Sequence, residues 1–226
     1  METKTKQLKK ILLNWYKNNK RSFSWRNTND PWKILLIEVI SQQTQIDRAN
    51  TYYQKFIKKF PNPESMSKSS LKTILKMWSG LGYNIRAKRI YESSKILAKK
   101  GFEGIYPNFE LLPGVGQYTK NAILSFAYGD KVLAVDTNLE RIITRYFGVD
   151  NTKDYVRKYS NLLLKDINSK DLNQAFMDFG SSICTSSNTK CDICPLEKSC
   201  KKYFINPKNS IKKFKGSNRE LRGKII

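Results

Sequence analysis

The four cysteines of this chain have the spacing of a metal site. Cys184, Cys191, Cys194 and Cys200 follow the pattern C-x6-C-x2-C-x5-C, and the chain has no other cysteine. The loops between them are too short to fold as separate elements, so the four thiolates can converge on one centre. Such a set binds zinc or an iron–sulfur cluster, and zinc ribbons usually pair two C-x2-C hooks where this chain has one. Two disulfides are the alternative, but no signal peptide supports them.

Two carboxylates are placed where acid–base chemistry is feasible. Glu38 lies inside the apolar helical run ILLIEVI. Burial there would raise its pKa and prepare it to donate a proton, although a structural glutamate bonded to backbone amides fits the pattern equally well. Asp136 precedes the predicted helix that begins near Asn138, where aspartate is also a favoured N-cap. Because the chain contains no histidine, acid–base work falls to carboxylates, tyrosine and lysine.

The charge of the chain indicates a polyanionic partner. Lys and Arg number 42 against 19 Asp and Glu, which gives a formal net charge of +23. A basic surface of this kind attracts phosphate backbones through counterion release. A lysine-rich proteome is the alternative source of the charge, but it rarely produces so large an excess. No apolar run reaches about 18 residues, so we expect a cytoplasmic protein with no membrane partner.

A glycine-rich turn in the middle of the chain is a candidate phosphate-binding element. In LPGVGQYT (112–119), Gly114 and Gly116 flank Val115 just before a predicted helix. Two such glycines permit a tight turn, and the amides at the start of the helix can hold a phosphate oxygen. A G-x-G turn alone is often only structural. The apolar helix that follows and the basic charge favour a helix-hairpin-helix that binds a DNA backbone.

Apolar periodicity predicts an all-α chain. The predicted helices are the stripe Leu8–Tyr16, then Pro31–Thr44, Asp47–Phe60, LKTILKMW capped by Ser69 or Ser70, Ile85–Lys100, Tyr118–Tyr128, Asn138–Phe147, Lys153–Asp166 and Leu172–Cys184. The segment VLAV at 132–135 is a candidate for a short extended piece. The basic tail 204–226 lacks periodicity and is expected to be loosely held.

Five motifs, in order, resemble the HhH-GPD superfamily of DNA glycosylases, which includes endonuclease III-like and MutY-like enzymes. They are EVISQQTQ (38–45), WSGLGY (78–83), LPGVGQYT (112–119), VDTN (135–138) and the cysteine loop (184–200). The first two resemble MutY-type adenine glycosylases, and the cysteine spacing resembles the 4Fe-4S loop of the same superfamily. The resemblance covers roughly residues 8–203.

The resemblance implies two helical lobes that enclose a cleft. One lobe is the block 24–131, which carries the hairpin and Glu38. The other combines 1–23 with 132–203 and holds a 4Fe-4S cluster on the four cysteines. The cluster is expected to shape its loop so that neighbouring lysines face phosphates, rather than to react. We expect a monomer whose partner is double-stranded DNA with a mismatched or damaged base.

The resemblance also implies roles in hydrolysing an N-glycosidic bond. Asp136 would stabilise the positive charge that develops at C1′, and Glu38 would protonate the departing base and then activate water. Asn138 would orient Asp136 or a sugar oxygen. Tyr118 occupies the position of the lysine nucleophile of endonuclease III-like enzymes, so neither a Schiff base nor strand cleavage is expected.

Other matched residues are expected to contact DNA. Tyr83 and Gln42 match the residues that fill the gap left by a flipped nucleotide, although Tyr83 by itself is typical of a core aromatic. The remaining expected DNA contacts are Gln43, Gly114, Val115, Gly116 and Thr119.

The target base is predicted with alternatives. QQTQ, LGY and Glu38 favour adenine opposite G or 8-oxoguanine, but MutY-type enzymes carry a C-terminal domain for 8-oxoguanine and this chain ends at Ile226. Its length and the run VDTNLERIITRYFG resemble the compact thymine-DNA glycosylases that remove T or U opposite G. We favour adenine. A modified base and a non-catalytic DNA-binding module with a structural or redox-sensing cluster are the further alternatives.

Overall fold

Ten α-helices form the computed structural model of the protein, which describes residues 1–204 and Gly216. The helices are α1 (Glu2–Asn19), α2 (Pro31–Ser41), α3 (Ile46–Lys59), α4 (Pro63–Ser67), α5 (Leu71–Trp78), α6 (Ile85–Lys100), α7 (Gln117–Ile123), α8 (Thr137–Phe147), α9 (Thr152–Leu164) and α10 (Ser169–Ser182). No strand occurs among the described residues, so the all-α prediction is confirmed. None of their helices is long and apolar enough to cross a membrane. Most of the predicted basic tail lies outside the described residues.

Local capping signals determine where several helices begin. Asp30 caps α2 and accepts hydrogen bonds from the amides of Trp32 and Lys33, with Pro31 at the first helical position. Ser70, one of the two predicted candidates, caps α5. The short helix α4 was not predicted, because its five residues are too few to show periodicity.

The buried apolar residues form two hydrophobic cores. The first contains side chains from all the helices from α2 through α7, and it includes the fully buried Trp32, Phe56, Trp78 and Phe109. The second is built from α1, α8, α9 and α10, so the start of the chain packs against its C-terminal helices. The division into lobes at residues 24 and 131 stays a prediction, and the two cores are consistent with it.

The segment 132–135 forms no helix and is held by asparagine side chains. The Nδ2 group of Asn173 donates to the carbonyl of Val132 at 2.9 Å, and its Oδ1 accepts from the amide of Ala134 at 2.9 Å. Asn121 donates to the carbonyl of Leu133 at 2.8 Å. These side chains take the place of a neighbouring strand, and they fix the backbone immediately before Asp136.

Candidate active site

The four residues predicted to be catalytic line one cavity of about 350 Å³. Glu38 comes from α2, Tyr118 from the first turn of α7, and Asp136 and Asn138 from the start of α8. The fold therefore brings together, in a cleft, side chains that are far apart in the sequence.

Glu38 is half-buried and lines this cleft. The pKa of Glu38 is raised from 4.5 to about 7, chiefly by burial. The nearby charge of Asp136 contributes to this rise, whereas a hydrogen bond from Tyr118 and the charge of Arg26 act against it. Near neutral pH, Glu38 is present in both protonated and ionised forms. It can therefore donate a proton and take one back.

Asp136 is the N-cap of α8, as its position before the helix predicted. Its Oδ1 accepts from the amide of Leu139 at 2.8 Å, and its Oδ2 accepts from Nδ2 of Asn138 at 2.7 Å. Both oxygens of Asp136 therefore have a protein partner, because Asn138 occupies the oxygen that the cap leaves free. Each carboxylate oxygen still has a second lone pair that can face the cleft.

Asn138 connects Asp136 to the cysteine loop through Arg141. The guanidinium of Arg141 donates to Oδ1 of Asn138 at 2.6 Å and to the carbonyl oxygens of Gly180 and Cys184, each at 2.7 Å. A side chain at Gly180 would place its Cβ 2.5 Å from the Cβ of Asn138. Glycine is therefore required at position 180 for α10 to approach α8 this closely.

Tyr118 faces Glu38, and the nearby lysine does not. Burial and the charges of Glu38 and Asp136 raise the pKa of Tyr118 well above its ordinary value, so its hydroxyl remains a donor. Lys120 forms an ion pair with Glu110 at 2.9 Å and is absent from the cleft lining among the described residues. Two positions along a helix correspond to a rotation of about 200°, so Lys120 lies on a different side of α7 from Tyr118.

A buried ion pair in the cleft wall was missed by sequence reasoning. Asp178 is 1% exposed and accepts from Arg26 at 2.5 and 2.7 Å and from Nε of Arg21 at 2.6 Å. Burial alone would raise the pKa of Asp178, but these hydrogen bonds hold it below its ordinary value. The pair places the positive charge of Arg26 near Glu38. An aspartate inside the apolar run AFMDFG was the available signal, of the same kind that pointed to Glu38.

Gln174 is a second cleft residue that sequence reasoning missed. It is 7% exposed, and its Oε1 accepts from the hydroxyl of Tyr16 at 2.7 Å. Its partner lies on α1, more than 150 positions away, so no local pattern could have identified it.

Of the two residues predicted to fill a gap in DNA, Tyr83 is exposed and Gln42 is half-buried. Tyr83 is 60% exposed, which argues against the alternative of a core aromatic. It has a φ of +49°, and Gln43, next to Gln42, has a φ of +53°. Both turns thus contain a non-glycine residue in the left-handed region, which is uncommon and requires surrounding support.

The predicted hairpin has the expected turn, but its side chains are not all available. Gly114 has a φ of +84°, and a Cβ there would lie 2.9 Å from Cδ of Arg89. Gly116 is the N-cap of α7. Val115 and Thr119 are 7% and 2% exposed, so they can contact DNA only through backbone atoms.

The four cysteines line one cavity together with Arg145 and Tyr146. The guanidinium of Arg145 lies 3.5 Å from Sγ of Cys184, and the amide of Lys202 donates to Sγ of Cys200 at 3.3 Å. Among the described residues, no group of three His, Cys, Asp or Glu side chains converges closely enough to hold one metal ion. Four sulfur donors around a shared space can hold an iron–sulfur cluster, and structural zinc ions use the same set of donors.

Known sequences that are similar to this chain agree with one another in the protein family that they indicate. Residues 36–166 match the profile of the HhH-GPD superfamily of base excision DNA repair proteins. An adenine DNA glycosylase of Buchnera aphidicola subsp. Baizongia pistaciae is 42% identical over 207 residues, which cover 86% of this chain and 58% of that protein. An adenine DNA glycosylase of Mycolicibacterium smegmatis is 30% identical over 95% of this chain and 78% of its own length. The chain thus spans about three fifths of the Buchnera relatives.

Solved structures show the same architecture. A thermostable thymine-DNA glycosylase superposes with a TM-score of 0.80 at 30% identity, over 89% of this chain and 97% of that one. Endonuclease III in a non-covalent complex with DNA superposes with a TM-score of 0.74 at 22% identity, over 90% and 96% of the two chains. This second likeness concerns the fold alone.

Proposed function

The chain belongs to the HhH-GPD superfamily of base excision DNA repair proteins, and on that basis we propose that it is a DNA glycosylase that hydrolyses the N-glycosidic bond of a mispaired adenine. The observation that carries the proposal is the cleft itself. Glu38, with a pKa of about 7, faces Tyr118 and lies near Asp136 in a cavity of about 350 Å³. An acid beside a carboxylate is what the cleavage of a glycosidic bond requires.

The residues divide the chemistry between them. Protonated Glu38 donates its proton to a ring nitrogen of the base, which makes the base a better leaving group. Asp136, held by Leu139 and Asn138, stabilises the positive charge that develops at C1′. Ionised Glu38 then accepts a proton from the water that attacks C1′. Tyr118 keeps the carboxyl of Glu38 in position by hydrogen bonding.

Adenine is favoured by two independent observations. Adenine presents a protonatable N7 to an acid such as Glu38. The relatives that are 42% and 30% identical are named adenine DNA glycosylases. The opposing base is proposed to be G or 8-oxoguanine. We propose that the enzyme is monofunctional, because Tyr118 cannot form a Schiff base and Lys120 is paired with Glu110.

The cysteines and the basic surface complete the proposed assembly. Cys184, Cys191, Cys194 and Cys200 would hold a 4Fe-4S cluster, which supplies structural support to the loop when bound. Double-stranded DNA is the proposed partner of a monomeric enzyme. Gln42, Gln43, Tyr83 and the amides of the 114–119 turn would contact it.

A second candidate function is the removal of thymine or uracil opposite G. The compact thymine-DNA glycosylase that superposes with a TM-score of 0.80 is 97% covered by this chain, which supports this alternative.

The deciding experiment is base release from labelled duplexes carrying A:G, A:8-oxoG, T:G or U:G, with and without alkali. Release of adenine supports the proposal, and release of thymine or uracil supports the second candidate. Strand breaks without alkali would contradict the monofunctional assignment. No release from any duplex would contradict both candidates.

A further inference from the structure

Arg86 is a buried guanidinium whose hydrogen-bond acceptors among the described residues are all neutral oxygens. It lies in the first turn of α6 and is 5% exposed. Burying a charge in this way costs free energy unless hydrogen bonds compensate for the lost water. The cost is not fully offset, because Nε of Arg86 has no hydrogen-bond partner in the described part of the chain. The burial of Arg86 is therefore explained by the backbone segments that its other donor groups, Nη1 and Nη2, bind.

One side of the Arg86 fork holds the end of α2. Its Nη1 group donates to the carbonyls of Val39 at 3.2 Å, Ile40 at 2.9 Å and Gln42 at 2.5 Å. The hydroxyl of Thr44 lies 3.3 Å from the same nitrogen. The guanidinium thus caps the carbonyl end of the helix that carries Glu38, and it fixes the turn that contains Gln42.

The other side of the fork holds the loop before α6. Its Nη2 group donates to the carbonyls of Leu81 and Gly82, each at 3.1 Å. Nε1 of Trp78 donates to the carbonyl of Gly82 at 3.0 Å, and the face of the Trp78 ring lies 5.0 Å from the guanidinium.

The outer side of the same loop is held by α3. The hydroxyl of Tyr52 donates to the carbonyl of Ser79 at 2.6 Å, and Arg48 donates to the carbonyl of Gly80. Four consecutive carbonyl oxygens, from Ser79 to Gly82, are therefore bound by side chains. A loop held in this way presents its next residue, Tyr83, in a single orientation.

We propose that Arg86 is a positioning residue that joins the 42–44 turn and the 79–83 loop into one rigid wedge, so that Gln42 and Tyr83 enter the duplex as a unit. The inference rests on the proposed glycosylase function. The guanidinium lies 5.8 Å from the ring of Tyr83, which is 60% exposed. The left-handed φ of both Gln43 and Tyr83 requires such external support. Only a planar fork can serve both segments, because a lysine ammonium cannot span them.

The test is a double-mutant cycle between Arg86→Lys and Tyr83→Ala. Two readouts are used: single-turnover base release, and the fluorescence of 2-aminopurine placed beside an A:G mismatch, which reports unstacking whether or not a base is released. Arg86→Lys is expected to slow base release by about 10- to 100-fold and to reduce the fluorescence rise, because misplacement by about 1 Å has effects of this size. In the Tyr83→Ala background, the same substitution is expected to add little.

Independent, multiplying losses in the double variant would overturn the inference, since they would mean that Arg86 only supports the fold. Normal behaviour of Arg86→Lys would also overturn it. Arg157→Lys makes the same chemical change at an exposed position and is the matched control; both readouts should be unchanged. Thermal unfolding and helical content identify a variant that fails to fold.

If Arg86→Lys does not fold, Tyr52→Phe replaces it in the cycle. It removes one hydroxyl that holds the carbonyl of Ser79, and it leaves the core intact. Its smaller defect should also disappear in the Tyr83→Ala background, and a defect that persists there contradicts the wedge. A wild-type protein that unstacks the duplex through Tyr83 but releases no base would reject the proposed function while leaving the wedge inference supported.

Discussion

The cleft and the cysteine loop lie at opposite ends of α8, and different interactions stabilise each of them. At the N-terminal end, protein groups bind Asp136 on both oxygens. At the other end, the described residues between Thr185 and Cys200 include a single buried side chain, Leu196. The cleft is therefore organised by its own hydrogen bonds, whereas the loop has little buried core, and a metal on its cysteines would add to its stability.

The difference corresponds to what each region is proposed to do: the cleft positions a reacting group, and the loop keeps a stable shape. A reacting carboxylate must be positioned before substrate arrives, which favours fixed donors such as Leu139 and Asn138. The cysteine loop, in the role proposed for it, needs only a stable shape, which a bound metal would provide. Arg141 joins the two regions, because it contacts both Asn138 and the carbonyl of Cys184.

The largest effect is expected from Asp136→Asn. Asparagine is as good an N-cap as aspartate, so the free energy of unfolding should change little. Base release should fall by about 10³-fold, because the charge opposite C1′ is lost. Single-turnover kinetics with a labelled duplex measures this. Asp47→Asn removes an equal charge from an exposed helix surface and is the control. Normal base release by Asp136→Asn would mean that the cleft is not the reacting site.

The second largest effect is expected in the cysteine loop, and the first hydrophobic core should change little. Cys194→Ser replaces one thiolate with a weaker ligand, so iron content should fall and residues 185–200 should be cleaved by protease about 10²-fold faster. The helices of the first hydrophobic core should stay resistant to the protease. Ser199→Ala, in the same loop, is the control. Unchanged iron content and protection would remove the contrast between the two regions.

The pH dependence of the cleft follows from the raised pKa of Glu38. Glu38 is protonated below about 7, so the rate of base release should fall about tenfold per pH unit above that value. The folded protein also retains a proton that the unfolded chain releases between pH 4.5 and about 7, so the free energy of unfolding should decrease as pH rises through this window. Glu38→Gln should remove both dependences. A profile that stays flat from pH 6 to about 9 in the unsubstituted protein would contradict the role of Glu38.

The smallest effect should come from a single lysine of the cysteine loop. Lys198 is exposed, whereas Lys202 is paired with Glu197 at 2.9 Å. Lys198→Ala should reduce the salt dependence of DNA binding by a slope of about 1. Lys202→Ala should change it less, because its charge is already partly neutralised. Equal slopes for Lys198→Ala and the unsubstituted protein would show that this face of the loop does not contact phosphates.

Helix boundaries were predictable where a local signal marks them. Pro31 and Ser70 stand at helix starts in the structure, and Gly101 ends α6 with a φ of +67°. Glu38 and Asp136 were found in the same way, because a charge in an apolar run and an aspartate before a helix are local patterns. Arg86 was missed, since it resembles any other basic residue of a lysine-rich helix until its carbonyl partners are known.

The sequence by itself determined most of the helices and the cysteine spacing, and it marked Glu38 as a candidate acid, because each of these depends on residues within a few positions of one another. Tertiary structure alone decided the properties of the cleft. The pKa of Glu38 depends on Tyr118, Asp136 and Arg26, and Arg26 is held by Asp178, 152 positions away. Electrostatic and hydrogen-bonding effects act over a few ångströms, and only the packing of the helices determines which distant residues come that close.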